Sequence, residues 1–303
     1  MEQILGNISV LTAAPILNLG LLIDGVLIGS IFALAAYGLA LVWGVMNVKN
    51  LAQGDFIMIG GYLAWGLGSH GINPLFGVPL GFALLWCIGW VIYRLVVSKV
   101  ITRDLFTSLL ATFGVAICIQ QTLNLLFGPD TQSAQAHLPV WQLGGGLVTV
   151  ASSRLLGFVM AVILSVSVIL FMKKSRMGQA IRATAQDARA ARVLGIDTEK
   201  VYSFTFCLNA AICGAAGALV AIVWNVQPFL GTTYSIRLFV IVTAAGFGNL
   251  PAVIAAGFGM GVFEQFGGFL LGAEFQQALI VLLLLTVLTI RQLQNMRFRQ
   301  AVQ

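Results

Sequence analysis

The sequence predicts an all-α integral membrane protein, a polytopic helical bundle of about eight to ten transmembrane helices. Hydrophobic residues make up 59% of the 303 residues, and only 9% of the residues are charged. Soluble domains carry about 25% charged residues, so most of this chain is expected to face lipid. Long stretches without Asp, Glu, Lys or Arg recur along the chain, and each is long enough for a crossing of about 20 residues.

These apolar stretches give the expected spans in chain order. The first is 25–48, and residues 56–93 hold two spans that are broken at 69–74. The next spans lie at 105–129, at 155–172 and in 201–236, the last followed by a turn around Pro228 and Gly231. The stretch 238–263 is broken by GFGNLP at 246–251 into a short piece, either a crossing or a re-entrant segment, and a second helix; 275–290 is the last span.

The basic residues set the expected orientation. Of the 16 Lys and Arg residues, all except Arg154 and Arg237 fall in loops on one side. The positive-inside rule assigns that side to the cytosol. We therefore expect the N-terminus outside, the C-terminus inside, a single transmembrane domain over 1–303 and the largest external loop at 128–154. No cleavable signal peptide is expected, because the N-terminus lacks a basic region.

The longest cytosolic connection is 173–200, which holds seven of the 16 basic residues. Its middle consists mostly of good helix formers, and Gly195 follows where a helix C-cap is expected. The spacing places Arg182, Gln186 and Arg189 on one face of the predicted helix. Such a short helix is a docking surface. The alternative is an ordinary solvated loop that its positive charge holds inside.

Polar residues cluster where the second span begins. Asn50, Gln53, Gly54 and Asp55 are expected at the cytosolic face, in the connection between the first two spans. An acid near a helix start is favoured by the helix dipole. Asp55 is therefore either a simple helix N-cap or part of a functional site.

Two pairs of glycines predict faces at which helices approach closely. Gly25 and Gly29 form one pair, and Gly257 and Gly261 form the other, each with a spacing of i, i+4. Small residues at this spacing allow helix backbones in a membrane to come into contact.

Two acids lie near or within spans, Asp24 near the outer interface and Glu264 deeper in its span. An intramembrane acid is a candidate functional site, but two isolated acids do not form a proton relay, and a structural role is the preferred interpretation of both. The four Cys lie in apolar stretches without metal-like spacing and are interpreted as small hydrophobic residues.

The sequence lacks the motifs that are typical of several functional classes. The sequence has no G-x-x-x-x-G-K-[ST] loop for nucleotide phosphates and no spacing typical of a catalytic triad or a metal site. We therefore expect no enzymatic activity and no cofactor on this chain. The basic residues lie in short loops, as membrane topology requires, so no nucleic-acid partner is expected.

Three blocks carry a family resemblance: GSIFALAAYGLALVWGVMNVKNLAQGDFIMIGGYLAW (29–65), GQAIRATAQDARAARVLGID (178–197) and FVIVTAAGFGNLPAVIAAGFGMGVFE (239–264). On these blocks the chain resembles the integral membrane permease subunits of the branched-chain amino acid class of bacterial ATP-binding-cassette importers. Such permeases often have His in the N-x-A-x-G motif where this chain has Gln53. The class also contains permeases for urea, amides and aromatic acids, so the resemblance leaves the solute open within this range.

The resemblance implies roles for two groups of residues. The central block corresponds to the cytoplasmic coupling loop that docks on the ATPase subunit. The implied coupling residues are Gly178, Arg182, Ala183, Gln186, Asp187 and Gly195, to which the polar face adds Arg189. The candidate residues of the translocation path or gate are Asn50, Gln53, Gly54, Asp55, Gly257, Gly261 and Glu264.

The resemblance also implies an assembly in the bacterial inner membrane. The expected partners are a second permease subunit, which we expect to be a homologous heterodimer partner, two ATP-binding subunits that carry ATP and Mg, and a periplasmic substrate-binding protein. The solute would be a branched-chain amino acid or a related small molecule, and selectivity would lie largely with the binding protein.

Two other classes compete with this interpretation. A secondary transporter or channel would need no ATPase and should show paired intramembrane charges or a polar pore stripe, neither of which is visible in the sequence. A membrane-embedded enzyme would need a catalytic cluster at membrane depth, and none is visible either.

Overall fold

The computed structural model describes residues 2–13, 15–101, 103–134, 140–143, 148–246 and 249–300. Within these residues, six helices are long and apolar enough to cross a membrane. They are Ile16–Met46, Pro74–Val100, Phe106–Phe127, Ser152–Lys174, Thr198–Val223 and Leu250–Leu271. The prediction of a polytopic α-helical membrane protein is confirmed, whereas the total number of crossings and the orientation of the termini stay predictions.

The elements of the first half are α1 (Glu2–Ala13), α2 (Pro15–Met46), α3 (Gln53–Ser69), a 3-10 turn (Pro74–Phe76), α4 (Gly77–Ile92), a π-helical turn (Tyr93–Val97), α5 (Ser98–Val100) and α6 (Leu105–Phe127). The elements of the second half are β1 (Val140–Leu143), β2 (Val148–Ala151), α7 (Ser152–Lys174), α8 (Arg176–Gln186), α9 (Ala188–Val193), α10 (Thr198–Val223), α11 (Leu230–Ala245), α12 (Leu250–Leu271), a 3-10 turn (Ala273–Phe275) and α13 (Gln276–Gln300).

Two of the predicted breaks between spans lie where the sequence placed them. α3 ends at Ser69, and the next helical turn begins at Pro74. α11 ends before Gly246, whose φ of +94° is a conformation that glycine adopts readily. Asn249 then caps α12 by accepting a hydrogen bond from the backbone N–H of Ala252. The turn predicted around Pro228 and Gly231 is confirmed at Pro228 and Phe229, and Gly231 follows it in the first turn of α11.

α10 forms the centre of the bundle, because 94% of its most apolar 18-residue stretch is buried. It packs against α2, α3 and α4. The crossing with α3 depends on glycine, because a Cβ atom at Gly217 would lie 1.9 Å from the carbonyl oxygen of Ile57. The two helix backbones are therefore in contact.

α2 and α12 pack along the two predicted glycine pairs. A Cβ atom at Gly29 would lie 2.7 Å from the carbonyl oxygen of Gly257, and one at Gly261 would lie 2.2 Å from that of Gly25. The predicted close-packing faces are confirmed. Gly257 and Gly261 are buried against α2 of the same chain, and the path or gate role that we assigned to them stays a prediction.

The expectation of an all-α chain needs one correction. β1 and β2 form an antiparallel hairpin in which Val140 pairs with Ala151 and Leu143 pairs with Val148. It lies within the predicted external loop at 128–154. Residues 135–139 and 144–147 of that loop lie outside the described residues.

α6 stands apart from much of the bundle. Only 17% of its most apolar window is buried. Between α3, α4 and α6 lies a groove of about 800 Å³, lined almost entirely by apolar side chains such as Leu84, Ile88, Val115 and Ile119.

Candidate functional site

The start of α3 lies deep in the bundle, whereas its predicted position on the cytosolic side stays a prediction. The Gln53 side-chain amide donates to Asn209 Oδ1 at 2.8 Å, and Asn209 Nδ2 donates back to Gln53 Oε1 at 2.8 Å. Both side chains are fully buried. Asn209 lies 11 residues after Thr198, the first residue of α10. At 1.5 Å per residue this is about 16 Å, roughly half of the hydrocarbon thickness of a bilayer.

The start of α11 reaches the same depth. A Cβ atom at Gly61 would lie 2.6 Å from Val226 Cγ1, whereas one at Gly54 would lie 1.9 Å from the carbonyl oxygen of Gly231. Val226 follows the end of α10 and lies beside Gly61, whereas Gly231 lies in the first turn of α11 and beside Gly54. Because Gly61 and Gly54 are about 10 Å apart along α3, the segment between α10 and α11 runs back along α3 by about this distance. The first turns of α3 and α11 therefore meet inside the bundle.

Side chains tie the connection before α3 to its neighbours. Gly54 N–H donates to Ser235 Oγ at 2.8 Å, and Ser235 Oγ donates to the carbonyl oxygen of Leu51 at 2.9 Å. Asn50 Oδ1 accepts from the N–H of Ala52 at 3.1 Å, and Asn50 Nδ2 donates to Gln53 Oε1 at 3.3 Å. The hydrogen bonds of Ser235 thus join the start of α3 to α11, while Asn50 holds the connection itself in place.

Asp55 is fully buried in the first turn of α3. The N-cap interpretation is wrong, because the N-cap residue is Ala52 and no side chain caps this helix. Instead, the side-chain amide of Gln120 donates to Asp55 Oδ1 at 2.9 Å and to Thr232 Oγ1 at 3.1 Å. Asp55 Oδ2 has no hydrogen-bond partner among the described residues. A Cβ atom at Gly231 would lie 2.0 Å from Asp55 Oδ1, so glycine is needed there.

Glu264 belongs to a second deep polar contact. Glu264 Oε1 lies 2.6 Å from Arg237 Nη2, and the two side chains are 6% and 14% exposed. The Arg237 guanidinium also lies 5.3 Å from the ring centre of Phe32 and 5.1 Å from that of Tyr234. The sequence placed Arg237 in an external connection and showed no paired intramembrane charges; the structure corrects both points, because Arg237 lies within α11 and pairs with Glu264.

The cytosolic connection contains two helices, so the prediction of one continuous helix is wrong. Asp187 has extended backbone angles (φ −154°, ψ 106°) and separates α8 from α9. Its carboxylate accepts hydrogen bonds from the N–H groups of Arg189 and Ala190 at 2.8 and 3.0 Å, which makes it the N-cap of α9. Arg182 and Gln186 therefore do not continue on one helical face to Arg189.

α9 ends as the sequence predicts. Gly195 has a φ of +87° and follows the C-cap residue Leu194. The N–H of Gly195 donates to the carbonyl oxygen of Arg192, and the N–H of Ile196 donates to that of Ala191. This pair of hydrogen bonds is the Schellman motif that usually ends at a glycine.

The connection is attached firmly to the bundle on one side and exposed on the other. Arg182 donates to the carbonyl oxygen of Met172, and a Cβ atom at Gly178 would lie 2.4 Å from the same oxygen. The buried side chains are Ile181, Thr184 and Ala191. The exposed side includes two large apolar residues, Val193 at 87% and Leu194 at 80% exposed. Ala183 is half-buried, and Gln186, Asp187 and Arg189 are exposed.

Residues 21–288 match the family described as "Branched-chain amino acid transport system / permease component". The chain belongs to this family. The resemblance inferred from the sequence is confirmed over almost the whole chain.

Individual relatives agree with this assignment. The chain is similar to the high-affinity branched-chain amino acid transport system permease protein LivH of Salmonella typhimurium, with 26% identity over 88% of this chain and 91% of LivH. It is similar to the corresponding protein BraD of Pseudomonas aeruginosa, with 27% identity over 89% of this chain and 92% of BraD. A chain of PsaBC from Streptococcus pneumoniae in complex with Fab superposes with a TM-score of 0.47 at 13% identity, covering 88% of this chain and 89% of that chain.

Seven residues were predicted to line the translocation path or gate of this permease family member. The structure brings four of them together and places the other three elsewhere. Asn50, Gln53, Gly54 and Asp55 form one deep site, whereas Gly257, Gly261 and Glu264 lie on α12. Sequence analysis missed the partners of the deep site, which are Gln120, Asn209, Thr232 and Ser235. The sequence signal that could have found Gln120 and Asn209 is an amide side chain within a long apolar stretch.

Proposed function

We propose that this chain is the transmembrane permease subunit of an ATP-driven importer and forms the path for branched-chain amino acids or a related small solute. Family membership supports the transport class, and the cytosolic connection supports the energy source. The observation that carries the proposal is the attachment of α8 and α9 to both flanking spans. Arg182 joins the connection to the end of α7, and Arg192 donates to Thr198 Oγ1 at the start of α10.

This attachment gives a mechanical route to the deep site. A force applied to α8 and α9 reaches α10 through Thr198, and α10 carries Asn209, which is hydrogen-bonded to Gln53. Short helices with fixed ends transmit displacement, whereas a flexible loop would absorb it. The exposed Val193 and Leu194 provide an apolar contact for a partner at the cytosolic surface.

The proposed assembly lies in a bacterial inner membrane, with the N-terminus outside and the C-terminus inside. Two separate subunits bind ATP and Mg and dock on α8 and α9. A second, homologous permease subunit completes the path, and a periplasmic binding protein delivers the solute. The chain supplies no nucleotide site of its own, because it lacks a phosphate-binding loop.

The docking surface can be tested by changing its apolar contact. We expect the double substitution Val193→Asp with Leu194→Asp to abolish co-purification of the ATPase subunits and to reduce uptake by the reconstituted complex roughly tenfold or more, because charges replace buried apolar contacts. The matched control is Ile72→Asp, which changes an exposed apolar residue in the connection on the opposite side. Normal co-purification and normal uptake in the double variant would refute the docking assignment.

A second candidate function is a secondary transporter without an ATPase, which the buried Arg237–Glu264 pair favours. The two candidates differ in their energy source. Proteoliposomes that contain the permease alone should show no gradient-driven uptake if the importer proposal is right. Uptake that follows an imposed proton or sodium gradient without ATP would favour the second candidate.

A further inference from the structure

Three acids of the apolar helices are buried or half-buried, and two of them are paired with a basic side chain. Asp24 is paired with Arg154 at 2.5 Å, and Glu264 with Arg237. Asp55 is fully buried, and in the part of the chain that the structure describes no Lys or Arg pairs with it. Burial of a carboxylate without a counter-charge is costly, and an acid retained at membrane depth indicates a functional site.

The surroundings of Asp55 stabilise a negative charge without neutralising it. The Gln120 amide donates to Oδ1, and the first turn of α11 touches the same oxygen at Gly231. A helix N-terminus carries the positive end of the helix dipole, equivalent to about half an elementary charge. Oδ2 has no hydrogen-bond partner among the described residues. One acceptor of this carboxylate is therefore buried without a donor from the described part of the chain.

We infer that Asp55 binds the ammonium group of the amino acid in transit. This inference rests on the proposed function, which provides an amino acid as the solute. An ammonium group has three N–H donors. Three side chains with acceptors meet at the Gln120 amide nitrogen, which donates to the Asp55 carboxylate and to the Thr232 hydroxyl, while the third acceptor is the side-chain oxygen of Gln120 itself. A calcium ion would need about six to eight oxygen ligands, more than this group offers.

Gln120 lies between the buried Asp55 and the exposed Thr232, so it is the proposed gate of the site. Its side chain is half-buried, that of Thr232 is exposed, and its amide nitrogen donates to both neighbours. Rotation of this side chain breaks both hydrogen bonds and uncovers Asp55. The incoming ammonium group replaces the lost donor, so the carboxylate stays hydrogen-bonded during the exchange.

The first test is transport by the complete complex in proteoliposomes. Asp55→Asn keeps the size of the side chain and the acceptor for Gln120 but removes the charge. We expect leucine uptake to fall roughly tenfold or more while subunit assembly stays unchanged and thermal stability does not fall. The control is Gln121→Leu, which changes the exposed neighbour of Gln120 and should leave uptake unchanged. Wild-type uptake by Asp55→Asn would overturn the inference.

The second test needs neither the ATPase nor the binding protein. Thr232→Cys is introduced together with Cys87→Ala and Cys118→Ala, which remove the two exposed thiols. A cationic methanethiosulfonate reagent should modify the new thiol roughly tenfold faster than an anionic one, and Asp55→Asn should bring the ratio to about one. Leucine at millimolar concentration should slow the modification, whereas 4-methylpentanoate, which lacks the ammonium group, should not.

The outcomes separate the two proposals. If Asp55→Asn leaves the ratio of the cationic to the anionic modification rate unchanged, the proposed site is overturned. A ratio that falls without any protection by leucine would assign Asp55 to a proton or a small cation and overturn the ammonium assignment. If the wild-type complex fails to take up leucine while leucine still protects the thiol, the site stands and the proposed importer function fails.

Discussion

Asp55 and Asp187 both lie at the start of a helix, and their surroundings are opposite. Asp187 is exposed and accepts hydrogen bonds from Arg189 and Ala190 of its own helix. Asp55 is fully buried, caps nothing in its own helix and is held by Gln120 of a distant helix. The same residue type therefore organises local backbone at the exposed surface of the 173–200 connection and long-range contacts inside the bundle. Depth in the bundle decides between the two roles.

From the comparison we expect the largest loss of stability when the buried Arg237–Glu264 ion pair is broken. Removal of one member of a buried pair leaves an uncompensated charge and costs about 3–5 kcal/mol. We expect Arg237→Met and Glu264→Gln each to lower the thermal unfolding midpoint of the solubilised protein, and the double variant to lose less than the sum of the two. The control is the Asp24–Arg154 pair, whose side chains are 22% and 31% exposed and whose removal should cost less. Strictly additive losses at Arg237 and Glu264 would contradict the coupling.

The contact between α3 and α11 should show the next largest effect. A Cβ atom at Gly54 would lie 1.9 Å from the carbonyl oxygen of Gly231, so Gly54→Ala must separate two backbones. We expect a loss of about 1–3 kcal/mol in unfolding free energy and a loss of uptake. Gly66→Ala on the same helix is the matched control, because nothing lies within 4 Å of its added methyl group. Equal stability of the two variants would show that the first turns do not meet.

Removal of the Asp187 cap of α9 should give the smallest loss of stability of the three, and that loss should depend on pH. The N–H groups of Ala190 and Arg189 hold the pKa of Asp187 below its usual range. A group with a lowered folded pKa stabilises the fold above its unfolded pKa of about 3.9 and loses this contribution as the pH falls through the folded value.

We therefore expect the protection of the amides in 188–193 against hydrogen exchange, taken relative to the intrinsic rate at each pH, to fall below about pH 4 while that of α10 stays high. Asp187→Ala should show low protection at every pH. Asp187→Asn, which caps without a charge, should keep the same protection at neutral and acidic pH. High protection in Asp187→Ala at pH 7 would show that the cap does not hold α9.

Local sequence rules predicted the features that depend on neighbouring residues. The breaks at 69–74 and 246–251, the glycine pairs on α2 and α12, and the end of α9 at Gly195 all follow from glycine, proline and cap preferences within a few residues. The break at Asp187 carried the same kind of signal, an aspartate before a run of alanine and arginine. Strong helix propensity on both sides outweighed it in the sequence analysis.

The deep site could not be predicted in the same way. Asp55 meets Gln120 and Gly231, which are 65 and 176 positions away in the chain (120 − 55 and 231 − 55). Apolar stretches indicate which segments enter the membrane but carry no information on how far a connection folds back into it. The pairing of Arg237 with Glu264 was hidden for the same reason, because loop counting placed Arg237 outside the span.

The groove beside α6 has a consequence for Gln120. Its walls are apolar and lie beside a helix that is largely uncovered by protein. In a bilayer core without water, such a surface is covered by acyl chains or by another apolar subunit. α6 is therefore held by this chain along one side only. The ease with which it shifts, and carries Gln120 away from Asp55, then depends on the order and thickness of the surrounding membrane as well as on the fold.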